Sequence, residues 1–234
     1  MATSRKERER LEEKDWNKID ETVYKSGSFL MKYRNQILIG LGVVVLLVGV
    51  YWAYKSFYIE PRNKDAQAAL FRGEQYFQAG MDSLAINGNG NDYLGFEYII
   101  DEYGSTKAGD LAKAYSGISY ARMGKYEQAL ERLKSFSGGD KMITPAVKGA
   151  IGDCLVNTGK PEEAVSHFEK AAKEANDPLL SPIFYKKAAI VYLDLKNYDK
   201  VIEMFTKIKN DYMMSAEAAE ADKYIQEATI LKGR

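Results

Sequence analysis

One histidine, one cysteine and one asparagine-glycine run are the places where chemistry could start in this sequence. His167 falls within what reads as the second helix of a hairpin, directly before the apolar Phe168. A general base needs an orienting partner and a pocket, and that register supplies neither, so His167 reads as a solvated surface residue. Cys154 stands two residues after Gly152 on one helix and reads as a small apolar filler rather than a nucleophile. Being the sole cysteine, it also excludes an internal disulfide and any multi-cysteine metal site. The insertion from Met81 to Asn91 alternates Asn and Gly in a manner faintly like a calcium loop. Its glycine is at the wrong position and no bidentate Glu follows at the required distance, so it is expected to be a flexible turn. With no Gly-rich phosphate loop, paired metal ligands or Ser-His-Asp set, the sequence points away from an enzyme, and no cofactor or metal is expected.

Those residues must be held by something, and composition limits what. The 234 residues, 46% hydrophobic and 28% charged, suffice for one membrane segment and one well-buried domain. Lys plus Arg equals Asp plus Glu at 33 each, which gives no electrostatic case for a nucleic-acid partner.

From Asn35 to Tyr54 the chain runs 20 residues without a charge, with an aliphatic centre from Ile37 to Val50. At ~1.5 Å per residue this matches the ~30 Å of a bilayer interior. Lys32 and Arg34 close one end, and Tyr51, Trp52, Tyr54, Phe57 and Tyr58 form an aromatic belt at the other. The bulky rings stand where a cleavable signal needs small residues, so residues 35–56 are expected to be an uncleaved signal-anchor helix. The tail, residues 1–34, holds nine Lys or Arg and is expected on the cytoplasmic side, which leaves the C-terminal part periplasmic. Close to the segment the basic residues tie, with Lys25, Lys32 and Arg34 against Lys55, Arg62 and Lys64. In the tail, Trp16, Ile19 and Val23 share a helical spacing that fits either a short amphipathic helix or a solvated segment.

After a linker, residues 57–65, the chain becomes self-similar over 66–234. Gly117, Tyr120, Gly124, Tyr126, Ala129 and Leu133 return 35 residues later as Gly152, Leu155, Gly159, Pro161, Ala164 and Phe168. They return again, 37 residues on, as Ala189, Tyr192, Lys196, Tyr198, Val201 and Phe205. A distorted earlier copy has Gly73, Tyr76 and Gly80 in its first helix, with Tyr93 through Tyr103 as its second. The order small, large, turn, large, small, large resembles the tetratricopeptide repeat (TPR). The fold class implied is all-α: a TPR-type α-solenoid of about four helical hairpins with a C-terminal capping helix, Ser215 to Leu231, preceded by one transmembrane helix.

Mapping the inward-facing positions of such repeats onto this sequence selects Glu74, Phe77, Gln78, Ile118, Arg122, Asp153, Asn157, Lys186, Ile190 and Asp194 as partner-binding candidates. Their mixed polarity suits a peptide or protein face, not nucleic acid or a small-molecule substrate. The charged tail, single membrane helix and C-terminal repeats together resemble the YfgM-like proteins, ancillary subunits of the SecYEG translocon. The run Gly95 to Gly109 is similar to a membrane-anchored repeat family of Bacteroidetes-type bacteria. The resemblance implies a bacterial inner-membrane protein acting in protein transport, whose partners are envelope proteins such as translocon subunits or a membrane-anchored periplasmic chaperone. A cytoplasm-facing docking receptor and an assembly factor of a cell-envelope complex stay open as alternatives.

Overall fold

The computed structural model describes residues 34–36 and 38–233, and the protein is all-α, with no strand among the described residues. The charged tail, Arg34 apart, lies outside the described residues. The chain divides into two compact units between Tyr58 and Ile59. In the first, the apolar stretch is helical and its large side chains are uncovered, Val45 and Leu46 each 63% exposed. Of the described residues, one helix, Arg34–Gln78, is long and apolar enough to cross a membrane, with a mean hydropathy of 2.3 in its most apolar stretch and 0% of that stretch buried.

The segment expected as a linker, residues 57–65, is helical. Lys55–Ile59 forms a π-helical turn, and the first helix of the second unit, α1, is Glu60–Gln78. Pro61 does not break it, because it follows directly on that π-helical turn, where the regular i→i−4 bonding that a proline would interrupt is already disturbed. The second compact unit thus begins at Ile59.

The second unit continues with α2 (Asp82–Asn87), α3 (Phe96–Tyr103), α4 (Lys107–Arg122), α5 (Tyr126–Ser135), α6 (Ile143–Asn157) and α7 (Pro161–Ala175). It ends with α8 (Leu180–Asp194), α9 (Tyr198–Asp211), α10 (Ala216–Ala219) and α11 (Ala221–Lys232). The closing segment is thus two helices rather than one, broken at Glu220, with Ser215 capping α10.

One turn recurs four times. At Gly80, Gly124, Gly159 and Lys196 the backbone is left-handed, with φ of 71°, 75°, 73° and 58°. In each, the next residue's N–H reaches back to the end of the helix: Met81 to the Tyr76 carbonyl, Lys125 to Tyr120, Lys160 to Leu155 and Asn197 to Tyr192, all at 2.8–2.9 Å. The left-handed residue donates to Phe77, Ala121, Val156 or Leu193 at 3.0–3.1 Å. This two-bond closure satisfies carbonyls that a helix end otherwise leaves open, and it turns the chain back at once.

The returning helix then fits a large side chain against a missing one. A Cβ on Gly117 would lie 2.6 Å from Leu133, and one on Gly152 2.6 Å from Phe168. In the third copy Ala189 and Phe205 are both 0% exposed. Ala129, Ala164 and Val201 are fully buried one turn earlier. The spacing of small and large residues is therefore a packing code, as the sequence implies. Two apolar clusters result: a small one around Leu70, Tyr93, Phe96 and Ile99, and a large one running from Ala114 to Ala228.

The two ends of the hairpins form two edges. The left-handed turns make one, where Arg122 donates to the Phe77 carbonyl at 3.2 Å. The loops that lead to each next hairpin make the other. There Arg62, near the start of α1, bonds Glu102 at 2.9 Å, and Asp110 accepts from the Ser137 N–H at 3.0 Å. Along the same edge Lys148 pairs with Glu174, and Ser181 Oγ donates to the Ala172 carbonyl at 2.8 Å.

Candidate functional site

The first helices of two successive hairpins, α6 and α8, leave a groove of about 400 Å³ between them. Asp153 and Asn157 stand on one wall and Lys186 and Ile190 on the other. The structure thus brings four of the expected partner-binding residues to one place. Val156, Ile183 and Val191 supply apolar surface, and Phe168 reaches the groove from α7.

Charge sits at the rim in matched pairs. Lys187 Nζ donates to both oxygens of Asp153, at 2.9 and 2.6 Å, and lies 5.7 Å from the centre of the Phe168 ring. Lys186 donates to Glu220 at 2.5 Å, which raises the ammonium pKa and lowers that of the carboxyl. The Asn157 amide donates to the Asp153 carbonyl at 2.8 Å. Both ion pairs are half-exposed and worth about 0–1 kcal/mol in water, so a partner can displace them at small cost. An apolar floor between displaceable charges of both signs suits an amphipathic peptide or helix.

The remaining candidates lie elsewhere and hold one another. Glu74 accepts a hydrogen bond from Tyr115, whose ring meets Phe77 edge-on at 4.9 Å. Arg122 lies 4.1 Å over the Phe77 ring and 3.5 Å from Asp82. Ile118 packs against the large core, Gln78 is exposed at the end of α1, and Asp194 is exposed at the end of α8. None of these six lines the groove.

Six lining residues were not among the candidates: Val156, Phe168, Ile183, Lys187, Val191 and Glu217. Ile183, Lys186, Lys187 and Ile190 follow the i, i+3, i+4, i+7 spacing of one helix face, and extending that stripe would have found two of them. Glu217 comes from the next short helix, which the sequence presents as part of a cap.

The chemically notable residues also have definite places. Cys154 lies fully buried beside Asp153, and burial first, then the Asp153 charge, pushes its thiol up to about 11. It stays protonated at neutral pH and is a poor nucleophile. His167 is not the solvated residue expected. It is half-buried, its Nδ1 has no hydrogen-bond partner, and burial followed by Lys170 and Lys134 lowers its pKa. It sits on α7, which packs against both α6 and α8, at a position between the exposed Ser166 and the buried Phe168.

The 81–91 insertion is ordered rather than flexible. Asp82–Asn87 is a helix, and Asn89 Oδ1 accepts from the N–H groups of Asn91, Asp92 and Tyr93 at 3.0–3.2 Å. Tyr93 is 2% exposed and lies in the loop, so the second helix of that copy begins at Phe96. No known protein family matches the chain, and no curated protein matches its sequence.

Proposed function

We propose that the chain is a membrane-tethered scaffold: a TPR-type solenoid, anchored by the helix over residues 35–56, that binds an amphipathic segment of another envelope protein in the α6/α8 groove. The groove carries the reading, because it joins an apolar floor to displaceable charges on the same face of two consecutive first helices. The four identical left-handed turns and the small-against-large fit support the repeat assignment. The uncovered aliphatic helix supports the anchor, since each large apolar side chain left in water forgoes roughly 1.5–3 kcal/mol of burial. With the basic tail inside, the solenoid faces the periplasm, where it serves the secretion translocon or its chaperones.

The test is photo-crosslinking from Ile183 and Ile190 in the full chain in native membranes, with Lys160 as a control outside the groove. Adducts to envelope proteins from the groove positions alone, lost in an Ile190→Asp variant of unchanged melting temperature, are expected. Adducts only to cytosolic proteins, together with protection of the domain from protease in spheroplasts, would favour the cytoplasm-facing receptor instead.

A further inference from the structure

The two edges of the repeat unit differ in what they expose. On the edge of left-handed turns the residues that follow the turn are Met81, Lys125, Lys160 and Asn197. Met81 and Met123 accompany the first two turns at 51% and 38% exposure, Val156 lies near the third at 39%, and Leu195 before the last is partly buried. On the other edge Met142, Leu179, Met213 and Met214 stand 73%, 74%, 73% and 100% exposed. They stand in the loops that lead into α6, α8 and α10, whereas the loop before α4, Gly104 to Thr106, carries no such residue.

Their exposure is built by ordered turns. Asp140 Oδ1 accepts from the N–H groups of Met142 and Ile143 at 2.7 and 3.0 Å. Asp177 Oδ1 does the same for Leu179 and Leu180 at 2.8 and 3.0 Å. Each aspartate's carbonyl then accepts from the residue four positions on, Thr144 or Ser181, at 3.1 and 3.0 Å. One device, repeated, holds a large apolar side chain outward in two successive loops. In free solution such a row is an aggregation liability, and a row of this kind marks a surface that something covers.

The occupant follows from where the chain enters. Arg62 and Glu102 put the start of α1 on this same edge, and the residues before α1 are the apolar helix. We infer that this edge rests on the lipid bilayer, with Met142, Leu179, Met213 and Met214 dipping into the interfacial region. The inference rests on the proposed membrane reading. The nearby charges are of both signs, with Arg62, Lys141 and Lys148 beside Asp140, Asp177 and Asp211, so apolar insertion rather than attraction to anionic lipid holds the edge down.

The experiment uses the full chain with Cys154→Ala in phosphatidylcholine vesicles, carrying one fluorophore at Met142→Cys, Leu179→Cys, Met214→Cys, Lys160→Cys or Val45→Cys. Nitroxide lipids labelled near the headgroup or deep in the chain serve as quenchers, and thermal melts check each variant. Val45 quenched by the deep label, and 142, 179 and 214 quenched several-fold more than 160 by the shallow one, is the expected result, unchanged by added anionic lipid. If Val45 is quenched but the three edge positions match 160, the edge inference is overturned and the anchor stands. If the edge positions are shielded from aqueous iodide yet unquenched by lipid, a protein surface covers the row and the lipid assignment is overturned. An unquenched Val45 overturns the anchor and the edge inference together.

Discussion

The hairpins of residues 107–211 and the opening block of residues 60–103 close with the same left-handed turn, but they fill their interiors by different means. In the later hairpins a glycine or alanine on one helix receives Leu133, Phe168 or Phe205 from the other, and the large core is mostly aliphatic with few polar interruptions. In the opening block the returning helix is only 8 residues long, and an aromatic group with polar wiring replaces the missing length. Tyr93 and Phe96 meet edge-on, Phe96 stacks on Tyr115 at 5.6 Å, and the Tyr93 hydroxyl donates to the Ala85 carbonyl at 2.7 Å. Asn89 binds the Tyr76 hydroxyl at 3.0 Å and closes its own loop. The seam between the regions is also polar: Glu97 of α3 accepts from Ser116 of α4 at 2.6 Å and from Arg132 of α5 at 2.5 Å. Apolar interlock repeats with a period and tolerates stacking without limit, whereas a hydrogen-bonded plug fits once and ends the array.

The largest effect should come from emptying each interior. Phe168→Ala and Phe96→Ala remove fully buried rings and should each cost about 3–5 kcal/mol. If the regions differ as described, amide exchange after Phe168→Ala accelerates throughout α4–α9, while Phe96→Ala opens residues 60–103 and leaves α6–α9 protected. Equal acceleration everywhere in both variants would mean that the two regions unfold as one.

The shared turn provides the next comparison. Nothing lies within 4 Å of a Cβ placed on Gly124 or Gly159, so alanine there meets only the cost of a left-handed backbone, about 1–2 kcal/mol. Lys196 already bears that cost, and Lys196→Gly should raise stability by up to about 1 kcal/mol. Urea titrations of the three variants would show losses in two and a gain in one. A loss at Lys196→Gly would mean that its side chain contributes more than its backbone costs.

A smaller effect belongs to the opening block alone. Asn89→Ala strips the acceptor from three N–H groups in a partly exposed loop and should cost about 1 kcal/mol, as loss of a helix cap does. Faster exchange confined to residues 87–95 is the outcome that fits, and faster exchange across α6–α9 would contradict the local character of the plug.

What was legible in the sequence follows the same division. The later hairpins could be read because one residue pair decides each crossing: Gly117 and Leu133, Gly152 and Phe168, Ala189 and Phe205 announce their contact by type and spacing. Lys196 was readable as a turn only from the period, since lysine has no preference for that backbone. In the opening block, Asn89 looked like a flexible loop residue, because an asparagine that accepts three backbone donors is indistinguishable in sequence from a solvated one. Residues 57–65, Pro61 among them, were read as a linker, because the π-helical turn that lets a helix run through this proline has no sequence signature. The groove was half legible: Asp153, Asn157, Lys186 and Ile190 follow from the register, but Glu217 requires knowing that α10 packs as the next first helix. Arg122 and Phe77 were named as separate candidates, and their contact with each other was not legible from the register.

The smallest effect is a dependence on pH, and it separates the two regions without removing a contact. His167 lies in the regular region, where burial first, then Lys170, Lys134 and Lys148, disfavour its charged form, with Glu163 opposing them. Its folded pKa is therefore below the ordinary value of 6.5, so between those two values the unfolded chain binds more proton than the folded one. The associated stability is fully present above pH 6.5, declines as pH falls through that interval, and stays lost below the folded pKa. Melting temperatures taken from about pH 7.5 down to about pH 5 should show this decline in the wild type and lose it in His167→Asn, which cannot titrate. Amide exchange at the lower pH, corrected for its intrinsic rate, should accelerate in α5–α7 but not in residues 60–103. Identical slopes in wild type and variant would return His167 to the solvated surface and remove the one titrating group that distinguishes the regular hairpins from the opening block.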